Sequence, residues 1–229
     1  MEVLKLHGVV LKSADHSEFD RRLTVLTAER GKITVFARSV KRPGNRLMAS
    51  TEPFAFGTFG VTEGKTAYNL RETEIDNYFE EIRSDLDAFY LGSYFLEFAD
   101  YYSRENVEDL PLLSLIYSSL LALLRDDFNN SLVRSVFEIK IISVEGELPP
   151  PEGFGTLLPG TLHALNHIKD SPCSRVFTFN VNDEILSELT ALSSYFVRNT
   201  VHKEFSSLKI LNAVTAHPPV SLLLSRGEV

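Results

Sequence analysis

His163 and His167 stand four residues apart. On a helix that spacing puts both imidazoles on one face, where they could hold zinc. A zincin motif needs Glu directly after the first histidine, and here Ala164 stands there, with no third histidine nearby in sequence. Two ordinary helix histidines are the simpler reading. Glu72, Glu74 and Asp76 alternate along a strand-like run and could gather a cation, but such a run is more often a solvated strand face. Cys173 follows Pro172 and precedes Arg175 by two positions. One cysteine beside a basic group is not a nucleophile motif. No phosphate-cradling glycine loop, nucleophile elbow or dinucleotide fingerprint occurs. The expectation is a chain with no catalytic residue, no metal ligand and no cofactor.

The strongest chemical signal is cationic and aromatic. Residues 30–51 hold six basic side chains and no acidic one. Lys32, Phe36 and Arg38 share one face of a strand that runs into a segment bearing Lys41, Arg42 and Arg46. Cations in such a row can track a phosphate backbone, and an exposed aromatic ring can stack a base. These six residues are the candidate polyanion-binding set. The plain alternative is a solvated hairpin.

Those residues need a scaffold, and the first 80 residues read as strands. Val3–Lys12 and Arg21–Thr27 are β-rich runs. In Lys32–Arg38 the apolar trio Ile33, Val35 and Ala37 alternates with Lys32, Thr34, Phe36 and Arg38, a period of two that separates a core face from a polar one. Pro53–Val61 and Thr66–Ile75 complete the set, with a turn signal at Glu63-Gly64-Lys65. Five short strands without a long helix to cover a flat sheet predict a small closed barrel of OB type.

From residue 79 the period becomes helical. Ser84 to Asp87 resembles a capping box with Ser84 at the N-cap. Ala88–Ala99 is apolar nearly all round and reads as a central helix. Leu110–Leu124 follows. Val133, Val136, Phe137, Ile141 and Val144 then form one stripe of an amphipathic helix. Glu147–Gly160, rich in proline and glycine, is a break. Thr161–Lys169 is a short helix. Asn182 or Asp183 caps another that carries Ile185, Leu189, Leu192 and Phe196, and its pattern runs on through Phe205, Leu208 and Leu211. The division expected is a barrel domain over 1–78 and a helical domain over 79–229, an α+β chain. The tail His217–Val229, with two prolines, has no clear assignment.

Composition sets the bounds. The chain has 229 residues, 44% hydrophobic and 24% charged, which excludes a disordered chain, a collagen-like repeat and a coiled coil. The longest apolar stretch, Leu110–Leu124, spans 15 residues and is too short to cross a bilayer, so no membrane association is expected. The start, Met1-Glu2-Val3-Leu4-Lys5, lacks the pattern of a leader. A single cysteine excludes an intrachain disulfide and points to a reducing, cytoplasmic setting. Net charge is −8 but uneven: residues 1–80 carry 12 basic and 11 acidic side chains, residues 81–229 carry 11 and 20. Because salt screens charges beyond about 10 Å, a local basic patch can act on an acidic protein.

Several segments, in order, resemble the RecO recombination-mediator family. Gly8-Val9-Val10-Leu11-Lys12 fits its first strand. Asp20-Arg21-Arg22-Leu23-Thr24-Val25-Leu26-Thr27, Gly31-Lys32-Ile33, Ala37-Arg38 and Arg42-Pro43 match the next elements. Phe137-Glu138-Ile139-Lys140-Ile141-Ile142 is similar to the family's F-E-x-K helix. Pro159-Gly160-Thr161-Leu162, Ala164-Leu165, Ser171-Pro172, Phe177, Phe179 and Ser207-Leu208-Lys209 resemble its last helices. The resemblance implies an OB barrel followed by helices and a non-enzymatic role in recombinational DNA repair in bacteria. That role comprises binding single- and double-stranded DNA, annealing it, and loading RecA onto DNA coated by the single-stranded-DNA-binding protein. RecR is the implied partner. The acidic C-terminal tail of the single-stranded-DNA-binding protein is assigned to Arg134 and Lys140.

Two departures stand out. Many members carry a four-cysteine zinc module where this chain has the cysteine-free segment 147–160, which implies a zinc-free member. Arg134 precedes Phe137 by three residues rather than the usual two. The acidic second half also supports another reading, an adaptor whose barrel binds a protein partner and has no DNA affinity alone.

Overall fold

The structure, a computed structural model, describes residues 2–151 and 154–216. It has the α+β architecture expected: a closed five-stranded OB-type barrel followed by helices. The strands are β1 (Leu4–Asp15), β2 (Arg21–Thr27), β3 (Gly31–Ala37), β4 (Phe56–Glu63) and β5 (Tyr68–Asn77). Their order round the barrel is β1-β2-β3-β5-β4, and β4 closes onto β1. All pairings are antiparallel except β3 with β5, which meet in parallel at Val35–Tyr68 and Phe36–Asn69.

The alternation in β3 has its expected result. Ile33, Val35 and Ala37 join Leu6, Val10, Leu23, Val25, Phe59 and Val61 inside the barrel. β1 runs three residues past its predicted end because Asp15 pairs with Arg21 on β2. The outer face of β1 is buried too. Val9 and Leu11 belong to a second, larger core with the helices, joined there by Leu26 of β2 and by Phe54 and Phe56. The barrel therefore has one face against the helices and another facing solvent.

The helices are α1 (Glu80–Ser84), α2 (Leu86–Tyr102), α3 (Leu110–Leu123), α4 (Asn130–Val144), α5 (Pro159–Asp170), α6 (Asp183–Thr200) and α7 (Ser206–Ala216). α2 is central as expected, with Tyr94, Phe95, Phe98 and Ala99 inaccessible. Phe56 packs against Tyr117 of α3 with ring centroids 4.3 Å apart and planes tilted by 31°. The β2–β3 turn docks on the segment after α2: Lys32 N donates to Arg104 O and Asn106 N to Arg30 O. Gly31 sits in that contact at φ +56°, and a Cβ there would lie 2.3 Å from Val107 O, so a side chain is excluded both by backbone conformation and by space.

Four helix expectations need correction. Ser84 ends α1; the N-cap of α2 is Asp85, whose side chain accepts from Ala88 N. α4 carries more than an apolar stripe: Ser135, Glu138 and Lys140 are buried as well, because helices pack around most of it. α5 begins at Pro159, inside the predicted break, since proline suits the first helical turn, where its missing N–H costs nothing. The last helical pattern is two helices. α6 stops at Thr200 and α7 starts at Ser206, with Val201 extended between them. The pause carries Phe205 onto Tyr94 and Phe98, at ring distances of 5.2 and 4.8 Å. Asn182, not Asp183, is the N-cap of α6. The tail His217–Val229 lies outside the described residues.

Among the described residues no helix is long and apolar enough to cross a membrane. No group of three or more His, Cys, Asp or Glu side chains among them is placed to hold a metal.

Candidate nucleic-acid interface

The β2–β3 register builds the centre of the basic surface. Arg22 of β2 lies directly across from Phe36 of β3, and Asn69 of β5 pairs on the other side of Phe36. Phe36 is half-buried, and the His16 ring leans on it at 4.7 Å and 52°. Arg22 and Arg38 are exposed. The solvent face of the barrel here presents an aromatic ring between guanidinium groups.

β3 then enters a loop that is folded rather than slack. Ser39 has φ +55°, and its N–H donates to Asp20 Oδ1 at 2.7 Å. That bond holds the Asp20 carboxyl below the usual carboxylate range. Lys41 N donates to Phe19 O, and Arg42 lies over the Phe19 ring at 5.3 Å. Asn45 donates from Nδ2 to Ser39 O and accepts from Leu47 N, which closes the turn that carries Arg46. The β1–β2 loop and the basic loop are thus clamped together at one end of the barrel.

The six candidate residues fare differently. Arg38, Arg42 and Arg46 are exposed, and among the described residues their guanidinium groups make no hydrogen bond or ion pair. Lys41 shares the same end, but its ammonium sits 2.6 Å from Asp15 Oδ2. That hydrogen bond holds the Asp15 carboxyl below its ordinary range. Lys32 lies at the opposite end of β3, four residues or about 13 Å from Phe36 along the strand. Its Nζ donates to Asp100 O at 2.7 Å and contacts Asp100 Oδ1 at 3.4 Å. Lys12 of β1 reaches the same carboxylate at 2.7 Å. Burial works to raise the Asp100 pKa, but the two ammonium groups more than offset it and the carboxyl stays ionised below its usual range. Lys32 is therefore a strut between the barrel and α2.

The other pair is also engaged. Arg134 Nε donates to Glu138 Oε1 at 2.8 Å, and Tyr94 Oη donates to the same oxygen at 2.8 Å. The Glu138 side chain is 1% exposed and that of Arg134 28%. Burial and the neighbouring carboxylate push the Tyr94 hydroxyl well above its ordinary pKa. Burial opposes the Arg134 charge, and Glu138 outweighs it, so the guanidinium is held protonated. Lys140 is 5% exposed. Its ammonium donates to Lys169 O and Ser171 O at 2.8 and 2.6 Å and so closes the C-terminus of α5. The structure does not bring Arg134 and Lys140 into one exposed site.

His163 and His167 share a cleft with Phe179, where His167 meets that ring at 4.8 Å. Glu72, Glu74 and Asp76 are exposed along β5. Cys173 is buried, and burial raises its thiol pKa, the wrong direction for a nucleophile. Arg22 and His16 are additions to the basic surface that spacing along one strand did not reveal. The cross-strand register was the missing signal.

Comparison with known proteins agrees with the barrel and the helices. Residues 1–79 match the family model "Recombination protein O N terminal", and residues 83–150 match "Recombination protein O C terminal". A protein of Acetivibrio thermocellus named DNA repair protein RecO is 25% identical over 93% of this chain and 98% of its own length. One of the same name from Clostridium acetobutylicum is 27% identical over 93% of this chain and 99% of its own. A third, from Desulforamulus reducens, is 32% identical over 65% of this chain and 57% of its own. With two adjoining family domains matched and relatives aligned over nearly their whole length, this chain belongs to the RecO family of DNA repair proteins.

Proposed function

We propose that the chain is a non-enzymatic mediator of recombinational DNA repair whose barrel binds the sugar–phosphate backbone without reading sequence. The observation that carries this is the set of exposed Arg22, Arg38, Arg42 and Arg46 around the half-buried Phe36 at one end of the barrel, with guanidinium groups that make no hydrogen bond or ion pair among the described residues. Exposed guanidinium groups exchange counterions for phosphates, and a ring between them gives a base somewhere to stack. Phosphate and stacking contacts position a strand but carry little base information. In this proposal both single- and double-stranded DNA bind, complementary strands anneal on the surface, and Lys41 joins it once free of Asp15. Lys32 acts through the strut to Asp100.

The finer roles rest on the family resemblance. They are RecA loading onto DNA coated by the single-stranded-DNA-binding protein, with RecR as partner. For that protein's acidic tail we propose Arg134 as the contacting cation, because part of its guanidinium reaches solvent. Lys140 contributes by holding the end of α5.

A second reading, an adaptor without DNA affinity of its own, has one observation in its favour: Lys41, the lysine of the basic loop, is already neutralised. Equilibrium binding of a labelled single strand across a salt series separates the two. The measurement uses the full chain alone with a chelator present. Salt-sensitive binding supports the DNA surface. No binding at low salt moves the DNA contact to a partner complex.

A further inference from the structure

Asp15 occupies an odd position for a residue at the rim of a basic surface. It ends β1, across from Arg21, and its side chain is 65% exposed. Its Oδ2 lies 2.6 Å from Lys41 Nζ, and its Oδ1 lies 4.0 Å from Arg21 Nε. Arg21 has a better partner, since its Nη1 donates to Glu52 Oε1 at 2.6 Å and to Thr51 Oγ1 at 2.9 Å. Asp15 is therefore not needed to hold Arg21. Nor is it needed to hold the basic loop. That loop is tied to the β1–β2 loop by Ser39 N to Asp20 Oδ1, by Lys41 N to Phe19 O and by Arg42 over Phe19. What Asp15 does is neutralise the lysine of the loop. Exposed pairs of this kind are weak, because water and salt screen both partners. A phosphodiester oxygen offers Lys41 the same chemistry as a carboxylate oxygen, a charge-assisted acceptor at hydrogen-bond distance.

We propose that Asp15 is an intramolecular stand-in for a phosphate, occupying Lys41 until a nucleic-acid backbone displaces it. The inference rests on the reading of this end of the barrel as a polyanion surface. It adds a residue that lowers the affinity of that surface. In the resting chain Arg38, Arg42 and Arg46 make the first contacts. A strand that follows them round the loop reaches Lys41 and must displace Asp15 there. A carboxylate is then left beside the bound backbone, which weakens the complexes that engage Lys41. Contacts that engage only part of the loop gain nothing from Lys41.

The test is binding of a fluorescent 20-nucleotide single strand to the full chain and to Asp15→Asn, each across a salt series. Asp15→Asn should bind about threefold to tenfold more tightly at low salt, while its log–log salt slope should differ from wild type by less than about 0.7, the value for one phosphate on a single strand, because Lys41 meets the same phosphate in both complexes. Glu184→Gln removes one exposed negative charge from the start of α6, among the helices rather than on the barrel, and should change affinity by less than about twofold because the charge is screened. In a Lys41→Met background the gain from Asp15→Asn should shrink to below about twofold, as expected when two residues act on one contact. Equal or weaker binding by Asp15→Asn overturns the inference; weaker binding would make Asp15 a positioning residue for Lys41. If both proteins bind equally in a salt-dependent way, the surface stands and only the role of Asp15 falls. If neither binds at low salt, both fall. Binding by Asp15→Asn alone supports both.

Discussion

Arg22 and Phe36 face each other across the β2–β3 ladder, so the ring of one strand and the guanidinium of the next form a single outward surface. Neither is adjacent to the other in sequence, and the hairpin alone joins them. His16 packs against the same ring, with centroids 4.7 Å apart. A ring held this way loses little freedom when a base stacks on it.

Phe36→Ala is expected to weaken single-strand binding by about 1–3 kcal/mol, the usual worth of one aromatic–base stack. The loss should be nearly independent of salt, because stacking releases no counterions. Arg22→Ala should give a smaller loss that grows as salt is lowered. Fluorescence anisotropy at two salt concentrations distinguishes them. A Phe36→Ala loss that vanishes at high salt would mean that the ring serves only to position the arginines.

The Asp100 strut makes a different kind of expectation. Lys12 and Lys32 both donate to the Asp100 carboxylate, which is ionised below its usual pKa in the folded chain. A carboxyl with a depressed folded pKa contributes in full above its unfolded value of about 3.9, and the contribution is lost as pH falls through the lower folded value. Asp100→Asn should therefore cost about 1.5–2 kcal/mol of unfolding free energy at neutral pH, the low end of the range for hydrogen bonds to charged groups, because Lys12 is half-exposed. Wild type and variant should converge below about pH 4 as the wild-type carboxyl is protonated. Urea titrations at pH 7 and pH 3 measure both. A difference that persists unchanged at pH 3 contradicts the strut.

Arg134 and Glu138 are a buried pair whose partners are unequally exposed. Arg134→Ala would leave the Glu138 carboxylate enclosed with only Tyr94 Oη as donor among the described residues, a loss of about 3–5 kcal/mol for a buried ion pair broken on one side. Tyr94→Phe removes one donor to the same carboxylate and should cost less, about 1.5–3 kcal/mol, the usual worth of a hydrogen bond to a charged group. Chemical denaturation ranks the two. The order matters for any binding assay, because Arg134→Ala can lose a peptide contact through instability alone. Arg134→Lys keeps the charge and is the better probe of an acidic tail. Equal stability of Arg134→Ala and wild type would contradict the buried pair.

Much of the barrel was legible because alternation is a local property. Ile33, Val35 and Ala37 need only their own strand to declare a face. Pairing is not local. The β2–β3 turn, Ala28-Glu29-Arg30, lacks the Asn-Gly or Asp-Gly signal of a two-residue turn, so the register that sets Arg22 beside Phe36 could not be read in advance. Charge alone was similarly incomplete. Lys32 and Arg38 look equivalent along β3, yet one meets Asp100 from a helix some 68 residues later in the chain and the other meets solvent. Lys140 looked like a surface cation within a matching motif. Its burial follows from the packing of α5 against α4, which periodicity along α4 does not contain. The α6–α7 break was hidden for the same reason: Phe205 keeps the helical spacing but is placed by the aromatic rings of α2.

The most direct test of the DNA-binding surface compares wild type with the triple variant Arg38→Ala, Arg42→Ala, Arg46→Ala. Binding of a labelled single strand is measured for each from low to high salt. The expected result is tight, salt-sensitive binding by wild type and a log–log slope shallower by about 2 in the variant, three phosphates at about 0.7 each. Folding of the variant, checked by circular dichroism, should be unchanged, since these three side chains are exposed. Parallel slopes for the two proteins would contradict the assignment of DNA binding to this end of the barrel.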